Sequence, residues 1–475
     1  MSVVSNARWI AAAQAAKVAL QFVSVAVLAR LLTPNDYGLI AMVFVAGNLV
    51  SLLRDMGTAA AIVQDPHLTE DTKNAVFWIN IGVGMLLCVA LLATSGMIAN
   101  AFRTDAVMPL LWALAPSFAI MSIGAVPRAL LERQSAFALV ARIEIGTAFA
   151  GLVVTIAAAS LGAGAMSFIY GSLATALVSS VAFLACSKWS PGKLGSTPHL
   201  GRLLTFSGQL SAFNFINYFA RNADSFVIGR YLGAASLGIY TNAFKVMLFP
   251  LQNMTFVANR ALYPVMCRQE NTEQQRSLYL KSVATIAMLT APLMAGVFVL
   301  REPFIDVLLG SRWREAADVL QWLAPIGFVQ SIVSTTGTVS MVKGRTDLLL
   351  RVGAFVACLQ VASFLIGVQW GIVGVAACYL IANFCGAIPA LLVALRQLDA
   401  GFGTLVREIW APVTAAVLMG FAVWETERLL RELADPIRLA IGISIGAIVY
   451  AALLFVLAPA KVRLIFMLVP SWRHR

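Results

Sequence analysis

The chain has 475 residues, 60% of them hydrophobic and only 12% charged. A soluble domain carries about 25% charged residues, so this composition excludes an ordinary globular protein, and a mean hydropathy of +0.85 agrees. The net charge of +12 comes from 34 Lys and Arg against 22 Asp and Glu; its placement between apolar runs marks membrane topology and gives no case for nucleic-acid binding.

Apolar runs of about 20 residues, long enough to cross a hydrocarbon core roughly 30 Å thick, recur fourteen times. They cover 9–32, 37–63, 76–99, 107–127, 143–162, 165–187, 204–229, 237–266, 282–300, 317–342, 348–368, 372–395, 408–424 and 439–459. The first run is longer than a signal-peptide core and contains Lys17, so it reads as a retained span. Runs five and six, like eleven and twelve, are separated only by Gly162-Ala163-Gly164 and Trp370-Gly371, which predicts tight helical hairpins. The longest outer connection, Arg301 to Glu315, is short. After Ala460 the tail alternates basic and apolar residues, which fits an interfacial segment or a disordered end.

Charge sets the expected orientation. With the N-terminus inside, twenty of the Lys and Arg residues fall on the cytoplasmic side and nine outside. Both termini are therefore expected in the cytoplasm of a multi-pass protein of the bacterial inner membrane. The six cysteines are scattered, without a C-x-x-C pair, and read as small buried packing residues. The three histidines lie in connecting or terminal segments, where no zinc or triad spacing arises.

An internal repeat runs at an offset of 200. Arg30, Leu32, Gly38 and Phe44 match Arg230, Leu232, Gly238 and Phe244. Six spans separate the copies, so both halves enter the membrane in the same direction, as in a parallel transporter repeat. In the first span Gln14, Lys17, Gln21 and Ser24 share one helical face; in the seventh, Asn214, Asn217, Arg221 and Asp224 repeat that spacing at the same offset. Span two adds Asn48, Ser51, Arg54 and Asp55, and span eight adds Lys245, Gln252, Asn259 and Arg260. Polar stripes do not face lipid, so they are expected to line a cavity.

Within these four spans five cations face two carboxylates, Asp55 and Asp224. Each such charge costs on the order of 3 kcal/mol near the bilayer centre. A cationic pocket for an anionic substrate accounts for the excess. Pairing of Arg221 with Asp224, and snorkelling of Arg260 toward its span end, account for part of it.

Several motifs carry a family resemblance. They are Val27-Leu28-Ala29-Arg30-Leu31-Leu32 through Tyr37-Gly38-Leu39, Asp55-Met56-Gly57 with Ala61-Ile62-Val63-Gln64, and Phe77-Trp78-Ile79-Asn80. Asn259-Arg260-Ala261-Leu262-Tyr263-Pro264, Gly310-Ser311-Arg312-Trp313 and Lys343-Gly344-Arg345 continue the order. The chain resembles, over nearly its whole length, the polysaccharide-transporter branch of the multidrug/oligosaccharidyl-lipid/polysaccharide exporter superfamily, the Wzx-type flippases. That resemblance implies an all-α polytopic membrane protein with two pseudo-symmetric six-helix lobes, a V-shaped central cavity and two C-terminal helices.

The expected domains are a lobe at 1–190, a cytoplasmic linker at 191–203, a second lobe at 204–397, two additional helices at 398–460 and the tail at 461–475. In relatives such as the lipid II flippases, cavity arginines on helices 1, 2 and 8 engage the substrate diphosphate. Lys17, Arg54 and Arg260 occupy comparable places, with Lys at 17 a departure from the pattern. The implied substrate is an undecaprenyl-diphosphate-linked oligosaccharide, moved by alternating access.

The expected binding residues are Lys17, Gln21, Arg54, Asn217, Arg221, Lys245 and Arg260. Asp55 and Asp224 are candidates for coupling to H+ or Na+. No catalytic or metal-binding residue is expected. Membrane lipids and, downstream, a polymerase and export machinery are the expected partners. A multidrug or ion-coupled exporter of the same superfamily is the alternative, disfavoured by a basic pocket. A membrane glycosyltransferase is disfavoured by the short outer connections and the lack of an Asp-x-Asp motif in the longest of them.

Overall fold

In the computed structural model the described residues are 20, 21, 23–54, 62, 68–193, 200–250 and 256–459. Side chains are described throughout these except at 200–217, 219–221, 250 and 256–261. The chain divides into two compact units, Met1–Gly238 and Ile239–Arg475. Among the described residues the regular structure is helical, without a strand. Large apolar side chains face outward along the helices: Leu86 and Met97 are 67% and 73% exposed. Such surfaces are unfavourable in water and ordinary against lipid tails.

In the first unit, helix α1 is described at 20, 21 and 23–31, and α2 covers Pro34–Arg54. A capping box starts α2. Thr33 Oγ1 accepts the Asp36 N–H at 3.2 Å, and Asp36 Oδ2 accepts the Thr33 N–H at 3.0 Å, so two otherwise orphaned donors are satisfied reciprocally. The other oxygen of Asp36 accepts the Ala165 N–H at 3.1 Å and ties this start to a later one.

Helix α3, Glu70–Phe102, is followed by α4, Val107–Leu114, and α5, Pro116–Arg133. Pro116 sits in the first turn of α5, where its missing N–H costs nothing. Helices α6, Phe137–Ser160, and α7, Met166–Ser187, form the expected hairpin. Its turn uses positive φ at Gly162 (82°) and Gly164 (53°), a backbone conformation that glycine adopts cheaply. The two helices pack reciprocally. A Cβ on Gly151 would lie 2.0 Å from Thr175 Oγ1, and one on Gly171 would lie 1.9 Å from Thr155 Oγ1. Small residues thus bring the backbones together, as they do between membrane helices generally.

Helix α8, Leu200–Pro250, is two helices that meet at a kink. The non-helical residue is Gly233 (φ 84°, ψ −179°), inside the connection expected at 230–236 between spans 204–229 and 237–266, in a backbone region that glycine adopts cheaply. Its 51 residues are enough for two crossings of about 20 residues each. Arg230, which looked like a loop residue, donates from Nη1 to Ala101 O at 2.6 Å. That carbonyl lies in the last turn of α3, where the helix dipole favours a cation.

The repeat appears as a contact. A Cβ on Gly38 would lie 1.6 Å from Ala234 O, and one on Gly238 would lie 1.9 Å from Pro34 O. Adding 200 to Pro34 and Gly38 gives Ala234 and Gly238, so each contact is the image of the other. Both contacts lie within the first unit.

The second unit begins with the last turns of α8. It continues with α9 (Phe256–Cys267), α10 (Thr272–Val299), α11 (Arg301–Leu308) and a 3-10 turn at Ser311–Trp313. The expected open connection at 301–315 is therefore mostly helical, anchored by the fully buried Trp313. Next come α12 (Glu315–Val333), α13 (Thr336–Val342), α14 (Thr346–Gly367), α15 (Gly371–Gln397), α16 (Phe402–Leu429) and α17 (Asp435–Leu457). Helices α14 and α15 make the second hairpin, turning at Gly371 with φ 73°. Tyr279, Val283, Ile332 and Leu395 form one core; Met288, Ala415, Met419 and Tyr450 form another, which the Tyr450 hydroxyl pins by donating to Met288 O at 2.8 Å.

Eleven stretches of described residues are long and apolar enough to cross a membrane. One of them, 346–397, contains both α14 and α15. With α1 and the first half of α8 added, the helices reach the expected fourteen. The protein is a multi-pass membrane protein. The cysteines depart from expectation, since none is buried: Cys267, Cys358 and Cys385 are exposed and the other three intermediate. Most sit in apolar segments, where an exposed side chain meets lipid and the small thiol needs no protein partner. The tail after Ala460 lies outside the described residues.

Candidate functional site

The first unit has an open cavity of about 450 Å³, lined by apolar side chains and uncharged polar ones, between α1, α2, α5, α6 and α7, with Leu114 of α4 at its edge. Helical spacing places each contribution. From α1 come Gln21, Ser24 and Leu28, at steps of three and four that keep them on one face. From α2 come Phe44, Gly47, Asn48 and Ser51. Helix α5 adds Ser117, Phe118 and Met121, while α6 and α7 add Thr155, Ser172 and Thr175 around the Gly151–Gly171 approach. No Asp, Glu, Lys or Arg is among the described residues of this lining. Cavities of about 250 and 580 Å³ in the second unit are walled almost wholly by apolar side chains such as Phe298, Phe328, Leu293 and Ile443.

The cavity has a charged neighbour. Arg54 follows Ser51 by three residues on α2, which puts both on one side of the helix. Its Nη1 lies 3.1 Å from Met121 Sδ, in the cavity wall. A thioether is a weak acceptor, so this contact helps to position the guanidinium against the wall. Helix α8 reaches α2 here too: the Tyr218 hydroxyl donates to Val45 O at 2.6 Å.

The structure thus brings Gln21 and Arg54 to one cavity. Of the other sequence-derived candidates, Lys17 and Asp55 lie outside the described residues, as do the side chains of Asn217, Arg221 and Arg260, whose backbones are helical. Lys245 is exposed on α8 and belongs to the second unit. Asp224 is buried, 6% exposed, and its Oδ1 accepts the Ser225 N–H at 2.6 Å. Ser117, Thr155, Ser172 and Thr175 were missed by sequence reasoning. Isolated hydroxyls in apolar helices look like packing residues; the signal that marks them is the pair Gly151-x-x-x-Thr155 and Gly171-x-x-x-Thr175. No cluster of three or more His, Cys, Asp or Glu suited to a metal occurs among the described residues.

Comparison with known proteins places the fold and the family. The structure resembles "Lipid II flippase MurJ, inward closed conformation", with a TM-score of 0.76 at 16% identity, over 94% of this chain and 98% of that one. It also resembles an inward-facing multidrug transporter of the MATE family, with a TM-score of 0.63 at 15% identity, over 81% and 94% of the two chains. These likenesses establish a transporter fold.

In sequence, the chain is 27% identical to the lipopolysaccharide biosynthesis protein WzxC of Escherichia coli (strain K12), over 86% of this chain and 84% of that protein. It is 24% identical to the teichuronic acid biosynthesis protein TuaB of Bacillus subtilis (strain 168), over 95% of each. It is 26% identical to the succinoglycan biosynthesis transport protein ExoT of Rhizobium meliloti (strain 1021), over 92% and 96%. A family model described as "Polysaccharide biosynthesis protein" matches residues 27–318, more than half of the chain and all of its first unit from the middle of α1 onward. The transporter fold and that match agree with the resemblance carried by the motifs, and the chain belongs to the polysaccharide biosynthesis protein family.

Proposed function

We propose that the protein flips undecaprenyl-diphosphate-linked oligosaccharide repeat units across the inner membrane, for exopolysaccharide, capsule or O-antigen synthesis. Transport proceeds by alternating access through a cationic cavity. The observation that carries this reading is the face of α2, where Asn48 and Ser51 line a cavity and Arg54 stands against its wall. A diphosphate drawn out of water needs charge-assisted donors, and a guanidinium supplies them bidentately. The family and the printed names of the similar proteins, which include polysaccharide transport and lipid II flipping, support the same substrate class.

In this reading Lys17, Arg54, Arg221, Lys245 and Arg260 hold the diphosphate, with Gln21 and Asn217 on the head group. Asp55 and Asp224 couple the cycle to H+ or Na+. The polyprenyl tail stays among membrane lipids, and a polymerase and export machinery take the flipped unit. A multidrug exporter handling cations would want carboxylates or aromatic cages; the described cavity lining contains no carboxylate, and its phenylalanines stand among amide and hydroxyl groups.

The test is a complementation panel in strains that lack a polysaccharide flippase, scored for restored polymer. The wild-type chain should restore polymer in at least one strain, and Arg54→Ala should abolish it at unchanged membrane abundance. Failure in every strain would overturn the flippase reading. Full restoration by Arg54→Ala would remove Arg54 from it.

A further inference from the structure

Among its described residues the lining of the first unit's cavity carries no charged side chain, and its hydrogen-bonding groups are unevenly committed. Ser117, Thr155 and Thr175 donate their hydroxyl protons to the carbonyls of Leu114, Gly151 and Gly171 at 2.6, 2.8 and 2.9 Å. Each then has only acceptor capacity left. Gln21, Asn48, Ser51 and Ser172, by contrast, make no hydrogen bond to another described residue, although helical serines commonly bond back to their own backbone. The described lining therefore offers donors and acceptors together, without a charged side chain.

That pattern discriminates between ligands. A phosphate wants donors alone and a positive charge; a cationic drug wants carboxylates or an aromatic cage, and would leave the amides and hydroxyls of this wall unused. A lipid tail would strand the two amides without partners, which is costly in a dry site. A ligand with many hydroxyls, each both donor and acceptor, satisfies the wall; Phe44, Phe118 and Phe168 give the apolar C–H face of a sugar ring something to pack on. The volume of about 450 Å³ falls in the lower half of the 300–1,000 Å³ usual for small-molecule sites, which suits one or two sugars rather than a whole repeat unit.

We infer that this cavity is a saccharide subsite, which takes the uncharged sugar attached directly to the diphosphate. Arg54 fixes that assignment. It stands one helical turn from Ser51 and touches the wall at Met121, so a sugar held at Asn48 and Ser51 has its phosphate-bearing end beside the guanidinium. The inference rests on the flippase reading and extends it: the diphosphate is bound by charge, and the first sugar is recognised by Gln21, Asn48, Ser51 and Ser172.

The experiment measures binding of four lipids to the full-length protein in nanodiscs. These are undecaprenyl diphosphate and the same lipid carrying one glucose, one galactose or one N-acetylglucosamine. Wild type should bind at least one glycosylated lipid about 10-fold more tightly than the bare diphosphate, the size expected of one or two added hydrogen bonds. Asn48→Leu with Ser51→Ala should cancel that gain while the bare lipid binds as before, which also reports that the variant is folded. Ser172→Ala deletes only a hydroxyl from the facing helix; it should reduce the gain on its own and serves as the test if leucine does not fit. Equal affinity for all four lipids in wild type, or a gain that survives Ser172→Ala, overturns the saccharide subsite and leaves the flippase reading standing. Failure of wild type to bind any of the four sinks both.

Discussion

At the scale of single residues, Asp224 and Arg54 show two ways of keeping charge inside an apolar helix. Arg54 sits beside the cavity of the first unit. Asp224 is buried, with one oxygen on its own helix's next N–H, at Ser225. A carboxylate in that position is expensive near a membrane centre and is most often functional. Asp224→Asn keeps the shape and the acceptor oxygen while removing the charge. It is expected to flatten the dependence of transport on external pH in proteoliposomes, with insertion intact. An unchanged rate and pH profile would leave Asp224 a structural partner only. The polar side chains at Gln21, Asn48 and Ser51 were legible in the sequence because amides and serines recur at helical spacing beside Arg54. Ser172 and Thr175 were not, since an isolated hydroxyl in an apolar helix is compatible with lipid, packing or a cavity alike.

At the scale of elements, close helix approach accounts for most of what the sequence could not reveal. The hairpin of α6 and α7 was readable from Gly162 and Gly164, whose positive φ the turn requires. The break within α8 was readable too, since Gly233 falls inside the expected connection at 230–236; the bond from Arg230 to Ala101 O, which shows why a cation belongs there, was not. Gly38 and Gly238 were legible as a repeat but not as neighbours, because one-dimensional matching carries no contact information. Their contact makes a sharp prediction. Gly38→Val places a side chain where Ala234 O already stands. The overpacking should cost about 1–3 kcal/mol and appear as a lower melting temperature of the purified protein. The same substitution at Gly337, where an added Cβ would meet Leu349 only at an ordinary 3.4 Å, should be far milder. Equal melting temperatures for the two variants would refute the close approach.

For the whole molecule, the fourteen-helix plan was readable because each apolar run must by itself satisfy its backbone in lipid, which leaves helix as the choice for every run. Orientation depends instead on the excess of Lys and Arg on one side. Reporter fusions after residues 195 and 475 should both read as cytoplasmic, and a periplasmic signal from either would reverse the assignment.

The reciprocal glycine contact also bears on the genetics of the duplicated chain. Most packing defects can be relieved by a smaller residue opposite the offending one. Here the atoms opposite Gly38 and Gly238 are the carbonyl oxygens of Ala234 and Pro34, and every amino acid carries that oxygen. A suppressor search starting from Gly38→Val should therefore recover true revertants, or changes that reposition a helix from afar, and no replacement at Ala234 itself. At this point the two halves of the repeat are bound to a common fate, since neither copy has a side chain with which to accommodate drift in the other.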